Sequence, residues 1–159
     1  MKKILVSYFS ATGTTKTLAE KMAAAIGADT KPIEPAVPYT AADLQWTDPN
    51  SRSSIEMKAD KAKRPALKAA ADVAAYDVIF LGFPIWWYTA PTIVNAYLES
   101  GDFAGKMVIP FATSGSSGMG RVLDDLRPSA PDADWRAGRR FDAGTSEAAL
   151  ADWAKVVLG

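Results

Sequence analysis

Three stretches of this chain are apolar almost without a break: residues 4–9, 78–83 and 107–112. None alternates with polar positions, so each reads as a strand buried on both faces, as in a parallel sheet covered by helices. Elsewhere the spacing changes. Leu18, Met22 and Ile26 recur at every fourth position with Gly27 just past them, which predicts a capped helix over 15–26. Pro91 suits the first turn of another helix, along which Val94, Tyr97 and Leu98 form a stripe. Leu150, Trp153, Ala154 and Val157 give residues 147–158 the same amphipathic character. Residues 30–34 read as a short strand stopped at Pro35, 121–126 as a short helix, 128–134 as a loop and 135–141 as a short edge strand. Strands alternating with helices predict an α/β fold, a parallel sheet with helices on both faces.

Residues 35–50 form an irregular insert marked by Pro35, Pro38 and Pro49. Ser53 and Glu56 have the spacing of a capping box, which predicts a charged helix running to Pro65. No repeat, low-complexity tract or interdomain linker divides the chain. Its 159 residues suffice for one domain with a sizeable core, so residues 1–159 are read as a single domain.

Composition narrows the chemistry. Eighteen basic residues offset eighteen acidic ones, which argues against the basic surface that nucleic acid requires. With no Cys and no His, disulfides, thiolate and imidazole metal sites, cysteine nucleophiles and Ser-His-Asp triads are excluded. Redox chemistry here needs a bound cofactor. Lys2 and Lys3 precede an apolar run that breaks too early for a signal peptide, and no segment approaches the roughly 20 apolar residues of a membrane span. A cytoplasmic protein without membrane insertion is expected.

Three loops follow the three buried strands, and in an open parallel sheet all three reach the carboxyl edge where ligands bind. The first is Ser10-Ala11-Thr12-Gly13-Thr14-Thr15. It offers hydroxyls, backbone N–H groups and a helix start, the parts of a phosphate cradle, or else of an ordinary Ser/Thr-rich helix cap. It carries no Lys or Arg, which suits an anchored phosphate better than one being transferred. The second loop is Pro84-Ile85-Trp86-Trp87-Tyr88-Thr89. Three consecutive aromatics cannot all face one core, and a planar ligand stacked on one of them explains the run. No basic residue lies between Phe83 and Thr92. The third, over 113–120, includes Thr113, Ser114, Gly115 and Gly118, small polar residues with open backbone access. Arg136, Arg139 and Arg140 read as protection of an edge strand.

Taken together, these residues resemble the flavodoxin family. The first loop is similar to the family's pattern for the FMN phosphate, S/T-x-T-G-x-T. The strand ending in Pro84-Ile85-Trp86-Trp87 resembles its second flavin loop in bacterial flavodoxin-like proteins, and 113–120 falls at the third. The resemblance spans nearly the whole chain. It implies a three-layer sandwich with a five-stranded parallel sheet in the order 2-1-3-4-5. It also implies FMN as cofactor, with Ser10, Ala11, Thr12, Gly13, Thr14 and Thr15 around the phosphate. Pro84, Ile85, Trp86, Trp87 and Tyr88 would line the flavin ring, Trp86 or Trp87 stacking on it, and Thr113, Ser114, Gly115 and Gly118 would lie at its other edge. Two departures stand out. The third loop has no aromatic to cover the second flavin face, and the chain is neutral where flavodoxins are acidic. The expected function is an FMN-binding electron carrier working between redox partner proteins. The alternative is an NAD(P)H-dependent quinone or flavin reductase that uses an open flavin face. A phospho-receiver module sharing this fold lacks its acidic cluster here.

Overall fold

The computed structural model describes residues 2–59, 63–114 and 118–159. In chain order its elements are β1 (Ile4–Tyr8), α1 (Thr14–Ile26), β2 (Asp29–Pro32), α2 (Arg52–Ser54), β3 (Val78–Pro84), α3 (Thr92–Glu99), β4 (Met107–Thr113), α4 (Val122–Leu126), β5 (Asp134–Trp135), β6 (Arg139–Phe141) and α5 (Glu147–Leu158). The strands pair in parallel in the order β2-β1-β3-β4-β5, as the resemblance implies. Among the described residues, no helix is long and apolar enough to cross a membrane.

The pleat of the central strands sorts their side chains into two cores. Leu5, Ile79, Leu81, Phe83 and Val108 point to one face and bury Ile93, Val94, Tyr97 and Leu98 of α3 together with Val122 and Leu126 of α4. Val6, Val78, Phe80, Ile109 and Phe111 point to the other and bury Leu18 and Met22 of α1 with Leu150 and Trp153 of α5. The continuous apolar runs exist because both faces are covered.

One polar pair sits inside the first core. The hydroxyls of Ser7 and Tyr97 lie 2.7 Å apart, both buried, and burial pushes the Tyr97 phenol up from its ordinary pKa. Tyr97→Phe strands the Ser7 hydroxyl and is expected to cost about 1–3 kcal/mol. A lower urea midpoint with an unchanged slope would report it. Adding Ser7→Ala should recover most of the loss.

Two predicted elements take a different form. The edge strand expected over 135–141 is two pieces, β5 and β6, both beside β4. Between the paired positions, Ile109 and Pro110 on β4 face three residues, Arg136, Ala137 and Gly138. This is a bulge, and Pro110 explains it: a proline has no N–H to give the ladder, so its neighbour detaches there. The detached chain passes close. A Cβ on Gly138 would lie 2.2 Å from the Pro110 carbonyl oxygen, so only glycine fits.

The capping box at Ser53 and Glu56 does not form. Ser51 caps α2, its hydroxyl accepting from the Ser54 N–H at 3.3 Å. The helix is one turn that widens into a π-helical turn over Ile55–Ala59. Glu56 binds the side chains of Arg52 and Tyr39 instead of a backbone N–H. Residues 63–65 are not helical.

Candidate functional site

The parallel register places the ends of β1, β3 and β4 side by side, so their loops converge at the carboxyl edge of the sheet. A cavity of about 500 Å³ opens there, within the size range of small-molecule sites. Ala11, Thr12, Thr14 and Thr15 line it from the first loop, Pro84, Ile85, Trp86, Trp87 and Tyr88 from the second, and Thr113 from the third. Ser10, Gly13, Ser114 and Gly118 are not part of the lining, and Gly115 lies outside the described residues.

The first loop is built to leave N–H groups free. Gly13 adopts φ 97°, a left-handed conformation costly for residues with a Cβ. The Ser10 hydroxyl accepts the Gly13 N–H at 3.0 Å, which holds the turn. The helix α1 then starts with no side chain capping it. Its first N–H groups have no partner within the helix. By contrast, Ser146 caps α5 through the Ala149 N–H. An uncapped start, hydroxyls at Thr12 and Thr14, and the positive end of the helix dipole fit an anion such as a phosphate. Ser10 and Gly13 therefore shape the cradle from behind its wall.

Thr15 ties two loops together. Its hydroxyl lies 2.8 Å from that of Thr113, and both residues are buried. The Ile85 N–H donates to the Thr113 carbonyl at 3.1 Å, joining the second loop to the third. The Ser114 carbonyl accepts from Arg140 at 2.9 Å. Arg140 thus steadies the third loop in addition to its place on the edge strand.

The aromatic run divides its labour. The Trp86 ring packs edge-to-face against Phe9 and Tyr39, each with centroids 5.6 Å away, so it is fixed in an aromatic cluster. Trp87 and Tyr88 are the centre of a tight turn closed by Trp86 and Thr89, whose backbones exchange hydrogen bonds of 2.9 and 3.2 Å. Both central residues have positive φ, 48° and 65°, as a primed turn demands. Neither is Gly or Asn. The Thr89 hydroxyl donates to Asp125, and the Arg121 N–H donates to the Tyr88 carbonyl, anchoring the turn to α4. Tyr88 is exposed and loses little packing when truncated. Tyr88→Gly is therefore expected to relieve strain and stabilise the fold by about 1 kcal/mol. A lower thermal midpoint for that variant would overturn this account of the turn.

Four participants come from the segments expected to be an irregular insert and a charged helix. Leu44, Trp46 and Ser53 also line the cavity. Lys58 places its ammonium 5.2 Å from the Trp87 ring centre, supplying from another segment the basic group missing around Trp87 in sequence. Trp46 thus brings an aromatic from the insert to the same cavity as Trp86 and Trp87. The only sequence signal for this was an apolar Leu44 and an unexplained Trp46 between prolines.

A parallel α/β sheet carrying a phosphate-type cradle and an aromatic wall at its switch point defines a mononucleotide-binding class of protein. The flavodoxin family model matches residues 3–157, and the chain belongs to the flavodoxin family. Among solved structures it is similar to a protein of Bacteroides eggerthii described as a flavoprotein, 48% identical over 100% of this chain and 99% of that one, with a TM-score of 0.93. A counterpart from Bacteroides uniformis is 50% identical over 97% and 98%, TM-score 0.90. A Lactobacillus acidophilus flavoprotein solved in complex with FMN shares the fold at 20% identity over 97% and 99%, TM-score 0.70. No curated protein matches.

Proposed function

We propose that this protein is an FMN-binding electron carrier working between redox partner proteins in the cytoplasm. The observation that carries this reading is the character of the cavity: three converging loops whose lining is hydroxyls, uncapped helix N–H groups and rings, with no charged side chain among the described lining residues. Such a wall holds and orients a planar phosphate ester. FMN, once bound, supplies the one- and two-electron redox chemistry that no side chain here provides.

The chain's own contributions are separable. Thr12, Thr14 and the start of α1 would hold the phosphate, and their neutral donors would leave its charge in place. The Thr15–Thr113 pair keeps the first and third loops at a fixed separation. Trp86, fixed by Phe9 and Tyr39, and Trp87, held in its turn, would give the ring an apolar wall. Balanced overall charge gives little long-range attraction toward a strongly charged partner. Docking then rests on short-range contact around the exposed rim, where Tyr88 and Trp46 lie.

The test is direct. The purified protein should be yellow, with a flavin spectrum, and should release FMN on heating. Its flavin should stay oxidised with NADH or NADPH alone and become reduced when a separate flavodoxin reductase is added. Rapid bleaching by NAD(P)H alone, with turnover on a quinone, would replace the carrier reading with that of a reductase.

A further inference from the structure

The insert is a built arm keyed to the cavity. Arg52 is its hub. The guanidinium lies 3.8 Å from the Tyr39 ring centre, pairs with Glu56 at 2.9 Å and with Asp43 at 3.9 Å, and donates to the Val37 carbonyl at 2.7 Å. The Tyr39 hydroxyl donates to Glu56, and the Tyr39 ring packs on both Phe9 and Trp86. Burial, then the Glu56 hydrogen bond, pushes the Tyr39 phenol well above its ordinary pKa, so it stays a donor. The far end of the arm is a series of turns. Thr40 and Asp43 cap one another's N–H groups, Leu44 donates to Ala41, and Ser53 donates to the Asp43 carbonyl.

This scaffold carries one unusual side chain. Trp46 is 71% exposed, although it borders the same cavity as Trp86 and Trp87. Trp86 packs on Phe9 and Tyr39, whereas no ring-to-ring contact engages Trp46 among the described residues. Its other flank opens onto a hollow of about 350 Å³ bordered by Thr47, Pro49, Ser54 and Lys58, so the indole has room on that side. An indole left mostly in water at the mouth of an aromatic-lined cavity, on an arm held by an ion-paired arginine, is placed to receive a flat partner.

Resting on the FMN reading above, we propose that Trp46 is the outer cover of the flavin ring, replacing the aromatic absent from the third loop, and that Arg52 is the positioning residue that holds it there. Arg52 itself is not among the residues that line the cavity.

The experiment uses the full chain labelled with 5-fluorotryptophan, followed by ¹⁹F NMR, the Trp46 resonance being assigned by its loss in Trp46→Phe. Adding FMN should shift the Trp46 line by ring current, and adding inorganic phosphate should not. Trp46→Ala, exposed enough to leave the fold intact, should raise the FMN dissociation constant roughly tenfold. Trp46→Phe should restore most of the affinity. Arg52→Met should move the Trp46 line even without FMN and raise the dissociation constant severalfold. A Trp46 line that stays put while other tryptophan lines shift, or unchanged affinity in Trp46→Ala, would overturn the cover. Unchanged affinity and an unmoved Trp46 line in Arg52→Met would overturn the role of Arg52. If no line shifts and no FMN binds, the FMN reading itself fails and takes the cover with it.

Discussion

Thr12→Asp is expected to weaken FMN binding by about a hundredfold or more while leaving riboflavin binding nearly unchanged. Thr12 is exposed on the first loop and lines the cavity, so the substitution does not disturb the core. It places a carboxylate beside the phosphate. Two unit charges about 4 Å apart at an effective dielectric of ~20 repel by about 4 kcal/mol. A hundredfold loss needs only about 2.7 kcal/mol. The cradle has no Lys or Arg to offset the new charge. Riboflavin lacks the phosphate and so feels none of this. Titration calorimetry with both ligands separates the causes. Equal weakening of the two would mean that the aspartate damaged the pocket generally, and the assignment of the first loop to the phosphate would fall.

The second large effect is on folding. Gly82→Val should lower stability by about 3 kcal/mol or more, roughly 6–12 °C in thermal midpoint for a chain of this size. Gly82 pairs with Tyr8 on one side and Phe111 on the other. The Phe111 ring, fully buried, lies over it: a Cβ at position 82 would be 2.3, 2.6 and 2.9 Å from three ring carbons. The ring cannot yield, because Val6, Phe80 and Ile109 belong to the same packed core. A double-mutant cycle decides the cause. Phe111→Leu should absorb much of the cost of Gly82→Ala, whereas strictly additive effects would show that some other contact is responsible.

Much of the fold was legible because burial on both faces leaves a strong mark. Residues 4–9, 78–83 and 107–112 announce the centre of the sheet, and Gly27 does end α1 with its own N–H bonded to the Ala23 carbonyl. The three cavity loops were legible for the same reason, since each directly follows such a strand. What escaped depends on contacts between distant residues. Ser53 and Glu56 had the spacing of a capping box, yet Glu56 is drawn away by Tyr39, seventeen positions earlier in sequence. The break in the outer strand depends on Pro110 meeting Gly138 across the sheet. Trp46 reaches the cavity, and Lys58 the Trp87 ring, by tertiary placement, and no local period announces an arm that packs through one arginine and one tyrosine.

The bulge opposite Pro110 also bears on how copies of this protein behave together in concentrated solution. With eighteen charges of each sign, the chain has little net repulsion to keep molecules apart at neutral pH. Its outer sheet margins compensate. One is β2, four residues long and closed by Pro32; the other is cut into pieces of two and three residues, with Arg136 beside the first and Arg139 and Arg140 in the second. Neither presents a straight row of free backbone groups long enough to recruit a strand from a neighbour. Colloidal stability is thus vested in the geometry of the sheet's borders, and straightening the outer one by substituting Pro110 would trade it away.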